Sequence, residues 1–365
     1  MPEIFDLVRI IEPLQQWFMG HARVLPWREE PTAYRVWISE IMLQQTRVEA
    51  VKSYFERFID ELPDVYALAQ CPEERYLKLW EGLGYYNRVR NLNAAAKQIV
   101  EEHGGVIPED YETLLTLKGI GHYTAGAIAS IAYNKPVPAV DGNVLRVISR
   151  VRADDADIMK QSVRNAVESE LAELMRQQSE GSDAVLQPRI FNQALMELGA
   201  LVCVPNGAPH CEECPWRLFC EARLQNRIGE LPVKSRPKGR RIEERTVFVI
   251  RDGARYAIHK RDNDGLLAGL YELPNYNGYM EPEEAMEYLQ SLGYSPIRLW
   301  PLGEAKHIFS HVEWHMKGYA VLIKDADSVP GTDNFLFVEA EEVRERYAIP
   351  NAFLQYAKYI YGDGK

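Results

Sequence analysis

The sequence lacks long hydrophobic runs, internal repeats and low-complexity segments. Its longest mostly apolar stretch, residues 125–133, falls far short of the roughly 20 residues that cross a bilayer. The amino terminus has no basic region followed by an apolar one, which is the pattern of a secretory signal. These absences exclude a membrane-spanning protein and predict a cytoplasmic one, with no membrane partner.

Positive charge is also in short supply. Lys and Arg number 42 against 53 Asp and Glu, so the net charge is −11, which taken alone argues against a polyanionic partner. Hydrophobic residues make up 46 % and charged residues 26 % of the 365 residues, a balance that excludes a disordered chain. This length predicts two or three domains.

The hydrophobic period changes once along the chain. Apolar residues recur every three or four positions up to about residue 224, which predicts an all-α domain over residues 1–225. Residues 226–245 are polar and cationic and are interpreted as a linker. The remainder, 246–365, is predicted to form an α+β domain with a mixed sheet. Its β-type runs are 246–250, 256–259, 316–323 and 335–338, and its helical patterns are 283–292 and 351–361.

Four of the five cysteines lie close together near the end of the helical part. Cys203, Cys211, Cys214 and Cys220 are separated by seven, two and five residues. In a cytoplasmic chain such a cluster indicates a metal site more often than disulfides. The spacing alone leaves zinc, a four-iron cluster and unligated core thiols open.

Two glycines, at positions 119 and 121, directly precede a predicted apolar helix. Gly119 and Gly121 allow a tight turn that exposes backbone N–H groups, an arrangement that binds phosphate, although an ordinary helix–helix turn has the same pattern. Farther along, Asp141 begins a helix that carries Arg146, Arg150 and Arg152. Asp141 is therefore either a helix cap or a catalytic carboxylate.

Glu40 lies in a helix that is apolar nearly all round, residues 36–46. Burial raises the pKa of a carboxyl group, which is how a glutamate becomes a general acid near neutral pH. The alternative is a glutamate paired with a buried arginine.

Together these motifs resemble those of the helix-hairpin-helix DNA glycosylases, and more closely the adenine DNA glycosylases of the MutY family. The resemblance covers nearly the whole chain. The matching motifs are LPWR (25–28), WISEIMLQQTRV (37–48), GLGYYNRVRNL (82–92), GIGHYTAGAI (119–128), VDGNVLRV (140–147), FNQALMELGALVC (191–203), the cysteine cluster, LLAGLYELP (266–274) and HIFSH (307–311).

The resemblance implies base excision repair: hydrolysis of the N-glycosidic bond of adenine mispaired with 8-oxoguanine, or with guanine, in double-stranded DNA. It implies one [4Fe-4S] cluster on the four clustered cysteines. Glu40 matches the acid that protonates adenine, and Asp141 the carboxylate that stabilises the cationic sugar. Asn143 is expected to orient Asp141 or the attacking water.

Tyr123 matches a tyrosine that contacts the adenine pocket, at the position where lyase relatives carry a nucleophilic lysine. A phenol forms no Schiff base, so the resemblance implies a monofunctional glycosylase. Trp27, Arg28 and Gln193 match other adenine-pocket residues. The residues that match DNA- and lesion-contacting positions are Gln45, Thr46, Leu83, Gly84, Tyr85, Lys118, Gly119, Gly121, Phe309, Ser310 and His311.

The C-terminal part resembles a Nudix fold that lacks the Arg and paired Glu needed to hold magnesium. It is therefore expected to recognise 8-oxoguanine without catalysis, with Ser310 as the main hydrogen-bonding group. Lys118 and His122 depart from the family's usual hairpin residues, Pro and Arg. Arg146, Arg150, Arg152 and the linker's cations are expected to form the positive face that meets DNA.

Two rival functions remain at this point. One is an endonuclease III-like glycosylase and lyase, which Tyr123 disfavours. The other is a non-catalytic iron–sulfur DNA-binding protein, which would bind mispaired DNA and release no base. The chain is expected to be a monomer.

Overall fold

The structure is a computed structural model that describes residues 5–181, 184–235, 239–324, 326–328 and 335–362. The chain divides into two compact units, which we call the helical unit (Met1–Gln70 with Asn91–Arg236) and the sheet unit (Cys71–Arg90 with Pro237–Lys365). The predicted domain limits of 1–225, 226–245 and 246–365 stay a prediction.

Sixteen α-helices are present in the described ranges. They are α1 (Ile11–His21), α2 (Pro26–Glu29), α3 (Ala33–Leu43), α4 (Val48–Glu61), α5 (Val65–Gln70), α6 (Glu73–Leu79), α7 (Asn87–His103), α8 (Tyr111–Thr116), α9 (His122–Ala127), α10 (Gly142–Arg152), α11 (Gln161–Ser179), α12 (Pro188–Leu201), α13 (Glu221–Leu224), α14 (Pro282–Ser291), α15 (Ala340–Arg346) and α16 (Leu354–Tyr361). None of them is both long enough and apolar enough to cross a membrane.

The described part of the helical unit is built from helices, as the hydrophobic period predicts. Besides the α-helices it has 3₁₀ helices at Leu7–Ile10 and Cys211–Glu213 and a π-helical segment at Ile128–Ala132. One hydrophobic core of this unit joins α1, α10, α11 and α12 through side chains such as Leu14, Val144, Leu171 and Leu195. Because α10 and α12 are buried on most sides, polar groups on them have to find protein partners.

Seven strands are present in the part of the sheet unit that the structure describes. They are β1 (Arg241–Asp252), β2 (Arg255–Lys260), β3 (Tyr271–Glu272), β4 (Asn275–Asn277), β5 (Pro296–Ile308), β6 (Val312–Ile323) and β7 (Leu336–Glu339). Their order is β3-β2-β1-β6-β5, with β4 also paired to β1 and β7 to β2. Among the described strand pairs, β1 and β6 run parallel and the others antiparallel, so the sheet is mixed as predicted.

Helices cover both faces of this sheet. Val249 packs with Tyr356 of α16 on one face, and Phe248 packs with Leu289 of α14 on the other. The run from Val247 to Ile250 is therefore buried without alternation, as expected for a strand between two layers. The multi-domain prediction, all-α followed by a Nudix-like α+β domain, is confirmed.

Two parts of the sheet unit differ from the sequence-based expectation. Strand β1 begins at Arg241, inside the segment interpreted as linker. Strand β5 was not predicted because Pro296, Pro301 and Gly303 weaken its β signal, and because an edge strand is half exposed and shows little alternation.

Candidate active site

Helix α3 carries Glu40 in an almost completely enclosed position. Thr32 caps the helix by accepting a hydrogen bond from the Arg35 N–H, and only 6 % of Glu40 is exposed. The pKa of Glu40 is raised to about 7. Burial is the largest cause; the hydrogen bond from Tyr123 and the charge of Arg28 lower the pKa, and the charge of Asp141 raises it. The raised pKa predicted from the apolar helix is confirmed.

Tyr123 reaches Glu40 from the turn of the hairpin. It is the second residue of α9, and its hydroxyl donates to Oε2 of Glu40 at 2.5 Å and lies 3.1 Å from Sδ of Met196. Burial, followed by the charges of Glu40 and Asp141, raises the pKa of this phenol well above its usual value. Tyr123 therefore stays a neutral hydrogen-bond donor.

Asp141 is the N-cap of α10 and is also part of the cavity. Its Oδ1 accepts from the Val144 N–H at 2.8 Å, and its Oδ2 accepts from Nδ2 of Asn143 at 2.7 Å. Burial raises the pKa of Asp141, while these hydrogen bonds act in the opposite direction. The cap and the cavity-facing carboxylate, treated as alternatives in the sequence, are the same group.

The backbone segment that precedes Asp141 is held in place by Asn192, whose side chain is fully buried. Its Oδ1 accepts from the Ala139 N–H, and its Nδ2 donates to the hydroxyl of Ser130 and to the carbonyl of Val137. These bonds hold the extended chain that leads into α10.

One cavity of about 630 Å³ in the helical unit brings most of the predicted catalytic residues together. Its size is in the range that binds small organic groups such as a nucleobase. Predicted residues that line it are Trp27, Arg28, Glu40, Gln45, Thr46, Tyr123, Asp141, Asn143 and Gln193. No lysine occurs among the described residues that line this cavity.

Arg28 is held by a buried acid that the sequence analysis did not identify. Both oxygens of Glu197 accept hydrogen bonds from Arg28, at 3.1 and 3.0 Å, and from Arg23, at 2.8 and 2.7 Å. Burial alone would raise the pKa of Glu197, but the two guanidinium groups lower it to about 2. Arg28 therefore pairs with Glu197, and among the ion pairs formed by the described residues none includes Glu40.

The two hairpin glycines have different structural roles. Gly119 has φ 75°, and a Cβ there would lie 2.6 Å from Cβ of Asn91, so both conformation and space require glycine. Gly121 has extended backbone and open space around it. Lys118 is exposed, and none of these three residues lines the cavity.

The other predicted lesion-contacting residues lie in the sheet unit. The hydroxyl of Tyr85 is 2.9 Å from Oγ of Ser310, and the ring is 49 % exposed with a backbone φ of 46°. Leu83 is buried, Gly84 has φ 70°, and His311 is exposed. The ring of Phe309 packs edge-on against Trp314 at 4.8 Å between centroids.

The four clustered cysteines line a second cavity of the helical unit. Nη1 of Arg150 lies 3.3 Å from Sγ of Cys203, so a cation is available to thiolates at this position. Among the described residues, no three His, Cys, Asp or Glu side chains are placed to hold a metal ion. Four thiols around one cavity, with a guanidinium beside one of them, are a donor set that suits an iron–sulfur cluster or zinc.

The prediction that the arginines of α10 form a positive surface is wrong for Arg146 and Arg150. Arg146 is 3 % and Arg150 5 % exposed. Arg146 donates to the carbonyls of Cys203 and Gly199, and Arg150 to those of Leu231 and Val204. Since α10 is buried on nearly all sides, these side chains satisfy carbonyl groups around the cysteine loop.

Comparison with known proteins identifies the families that the two parts of the chain resemble. Residues 38–174 match the family model described as HhH-GPD superfamily base excision DNA repair protein, and residues 246–359 match the NUDIX domain. The adenine DNA glycosylase of Mus musculus is 34 % identical over 426 residues, which cover 100 % of this chain and 81 % of that protein.

A bacterial adenine DNA glycosylase and a solved DNA glycosylase structure are also similar to this chain. The adenine DNA glycosylase of Buchnera aphidicola subsp. Baizongia pistaciae is 30 % identical over 314 residues, 86 % of each chain. The structure of a thermostable thymine-DNA glycosylase superposes with a TM-score of 0.50 at 26 % identity, covering 60 % of this chain and 96 % of that one.

Proposed function

The chain belongs to the adenine DNA glycosylase family, and from this premise we propose that it hydrolyses the N-glycosidic bond of adenine mispaired with 8-oxoguanine, or with guanine, in double-stranded DNA. The observation that carries the proposal is the meeting of Glu40, Tyr123 and Asp141 in one cavity. A base can react there only after it has been rotated out of the duplex.

Glu40 is the general acid in this proposal. With a pKa of about 7 it is substantially protonated at neutral pH, and the transfer of its proton to N7 of adenine makes the base a better leaving group. The hydroxyl of Tyr123 holds the carboxyl group in place by its hydrogen bond to Oε2. After bond cleavage the resulting carboxylate can assist the attacking water.

Asp141 stabilises the positive charge that develops on the sugar as the bond breaks. Hydrogen bonds from Val144 and Asn143 favour its ionised form and fix its orientation. A protonated and an ionised carboxyl group in one site correspond to the pair that glycoside hydrolysis uses.

Adenine recognition is assigned to Trp27, Arg28 and Gln193, which line the cavity. Recognition of 8-oxoguanine is assigned to Tyr85, Phe309, Ser310 and His311, with Ser310 as the hydrogen-bonding group. The remaining proposed DNA contacts come from Gln45, Thr46, Leu83, Gly84, Lys118, Gly119 and Gly121.

We assign one [4Fe-4S] cluster to Cys203, Cys211, Cys214 and Cys220. The group would fasten the loop between α12 and α13 and is given no step in base removal. Iron and sulfide analysis of the purified protein tests the assignment: about four of each per chain supports the cluster. One zinc per chain and no sulfide would overturn it.

Three further features stay predictions. They are action as a monomer, a cytoplasmic location with association to DNA, and base removal without strand cleavage. Borohydride treatment during the reaction should trap no covalent complex, because Tyr123 offers no amine.

Base release tests the central proposal. A duplex with adenine opposite 8-oxoguanine is incubated with the protein and then with alkali, which breaks the strand at any abasic site. Wild-type protein should cleave the adenine strand, and Glu40→Gln should bind the duplex and leave that strand whole. An intact strand with wild-type protein would overturn the proposal.

A further inference from the structure

Arg164 lines the same cavity as Glu40 and Asp141. It lies in the first turn of α11, and its Nη1 donates to the carbonyl oxygen of Val140 at 2.7 Å. Val140 directly precedes Asp141, so this guanidinium is anchored one residue from the proposed sugar-stabilising carboxylate.

Arg164 forms no ion pair with an acidic side chain in the part of the chain that the structure describes. Of the three arginines that line the cavity, Arg23 and Arg28 share the carboxylate of Glu197. Among the ion pairs formed by the described residues, none includes Arg164. A guanidinium has five N–H donors, and the bond to Val140 uses one of them.

We propose that Arg164 binds a backbone phosphate of the extruded nucleotide, an inference that rests on the proposed function. Phosphodiesters are attached to the same sugar that must approach Asp141, so a phosphate necessarily comes close to that carboxylate. Two anions at short distance repel each other, and a guanidinium beside them offsets the repulsion and binds phosphate with directed hydrogen bonds.

The phosphate contact acts on substrate binding and not on bond cleavage. An unpaired cation beside the sugar would oppose the positive charge of the transition state, whereas a guanidinium paired with phosphate is nearly neutral. Removal of Arg164 should therefore raise KM or Kd and leave the rate at saturating protein nearly unchanged.

Binding is measured with a duplex that carries 2′-fluoroadenosine, which resists glycosidic cleavage, at several salt concentrations. Arg164→Met should weaken binding about 10-fold, the effect of one lost charge-assisted hydrogen bond. It should also reduce the slope of log K against log salt by about 0.9, since one phosphate contact is lost. Arg164→Lys should retain the wild-type slope.

Arg176→Met is the matched control, because Arg176 lies on the same helix, is exposed and pairs with Glu173. It should leave affinity and slope unchanged. If Arg164 only supports the Val140 carbonyl, both Arg164 variants will lower Tm and keep the wild-type slope, and the phosphate assignment is then wrong.

Release of adenine by wild-type protein from an unmodified duplex is measured in parallel. Release together with an unchanged slope in Arg164→Met overturns only the phosphate contact. Absence of release by the wild type overturns both the contact and the function on which it rests.

Discussion

The hydroxyl oxygen of Tyr123 lies 2.5 Å from Oε2 of Glu40. This hydrogen bond favours the ionised carboxylate, while burial favours the neutral acid more strongly, and the pKa of Glu40 settles at about 7. Glu40 is consequently poised to give up a proton near neutral pH, and small changes around it should be visible in the pH dependence of the reaction.

The rate should fall as pH rises above about 7. Glu40 acts in its protonated form, and above its pKa that form decreases about tenfold for each pH unit. Asp141 has to be ionised, so its raised pKa sets a second decrease on the acidic side. Single-turnover rates at saturating protein and constant ionic strength, from pH 5 to 9, measure both limbs. A rate that stays constant from pH 7 to 9 would contradict the assignment of Glu40 as the acid.

Tyr123→Phe should move the alkaline limb to higher pH. The variant removes a donor that stabilises the charged form of Glu40, so the pKa of Glu40 rises further. The rate at pH 6 should also fall, by up to about 100-fold, because the acid is less firmly positioned. Tyr133→Phe is the control: its hydroxyl donates to the Ile107 carbonyl, and it does not line the cavity. A limb that moves to lower pH would falsify the role given to the phenol.

The two carboxyl groups that line the cavity, Glu40 and Asp141, could be selected from sequence as candidate site residues because the decisive features are local. Glu40 interrupts an apolar helix, and Asp141 stands at a helix start between glycine and a buried run. Glu197 shows the same local signal, an acid between Met196 and Leu198 on a buried helix, and it was missed. The structural role of Glu197 depends on Arg23, which lies 174 residues away in sequence and is brought close only by the fold.

The contact between Tyr85 and Ser310 likewise could not be predicted from local sequence. Their hydroxyl groups lie 2.9 Å apart although 225 residues separate them in the chain. Family motifs indicated both residues singly, but nothing in either motif places one beside the other. The prediction that Arg146 and Arg150 face DNA was wrong for a related reason. The sequence shows the charge of these side chains but not the carbonyl groups that surround them in the fold.

Ser310→Ala should reduce the preference for 8-oxoguanine over guanine opposite adenine. The variant removes the hydroxyl that pairs with Tyr85 and that we assign to the altered base edge, and a lost hydrogen bond of this kind is worth a factor of about 2 to 10. The ratio of single-turnover rates on the two duplexes measures the preference. Ser291→Ala, an exposed serine of the sheet unit that donates to the Tyr288 carbonyl, is the control and should leave the ratio unchanged.

Glu197→Gln should destabilise the helical unit at neutral pH. The carboxylate has 1 % side-chain exposure and holds two guanidinium groups that are only partly buried, so its neutral replacement leaves these cations uncompensated, at a cost of about 2 kcal/mol. Arg28 should also lose its fixed orientation and adenine release should slow. Urea unfolding at pH 7, with the exposed pair member Glu173→Gln as a control of little effect, measures the change.

The sign of the pH dependence provides an independent check on the role of Glu197. Its folded pKa of about 2 lies below the ordinary 4.5, so its stabilisation is fully present above pH 4.5 and is lost as pH falls toward 2. The difference in unfolding free energy between wild type and Glu197→Gln should therefore shrink over that interval. If the difference is the same at pH 3 as at pH 7, the ion pairs with Arg23 and Arg28 do not stabilise the fold, and Glu197 serves only to shape the cavity.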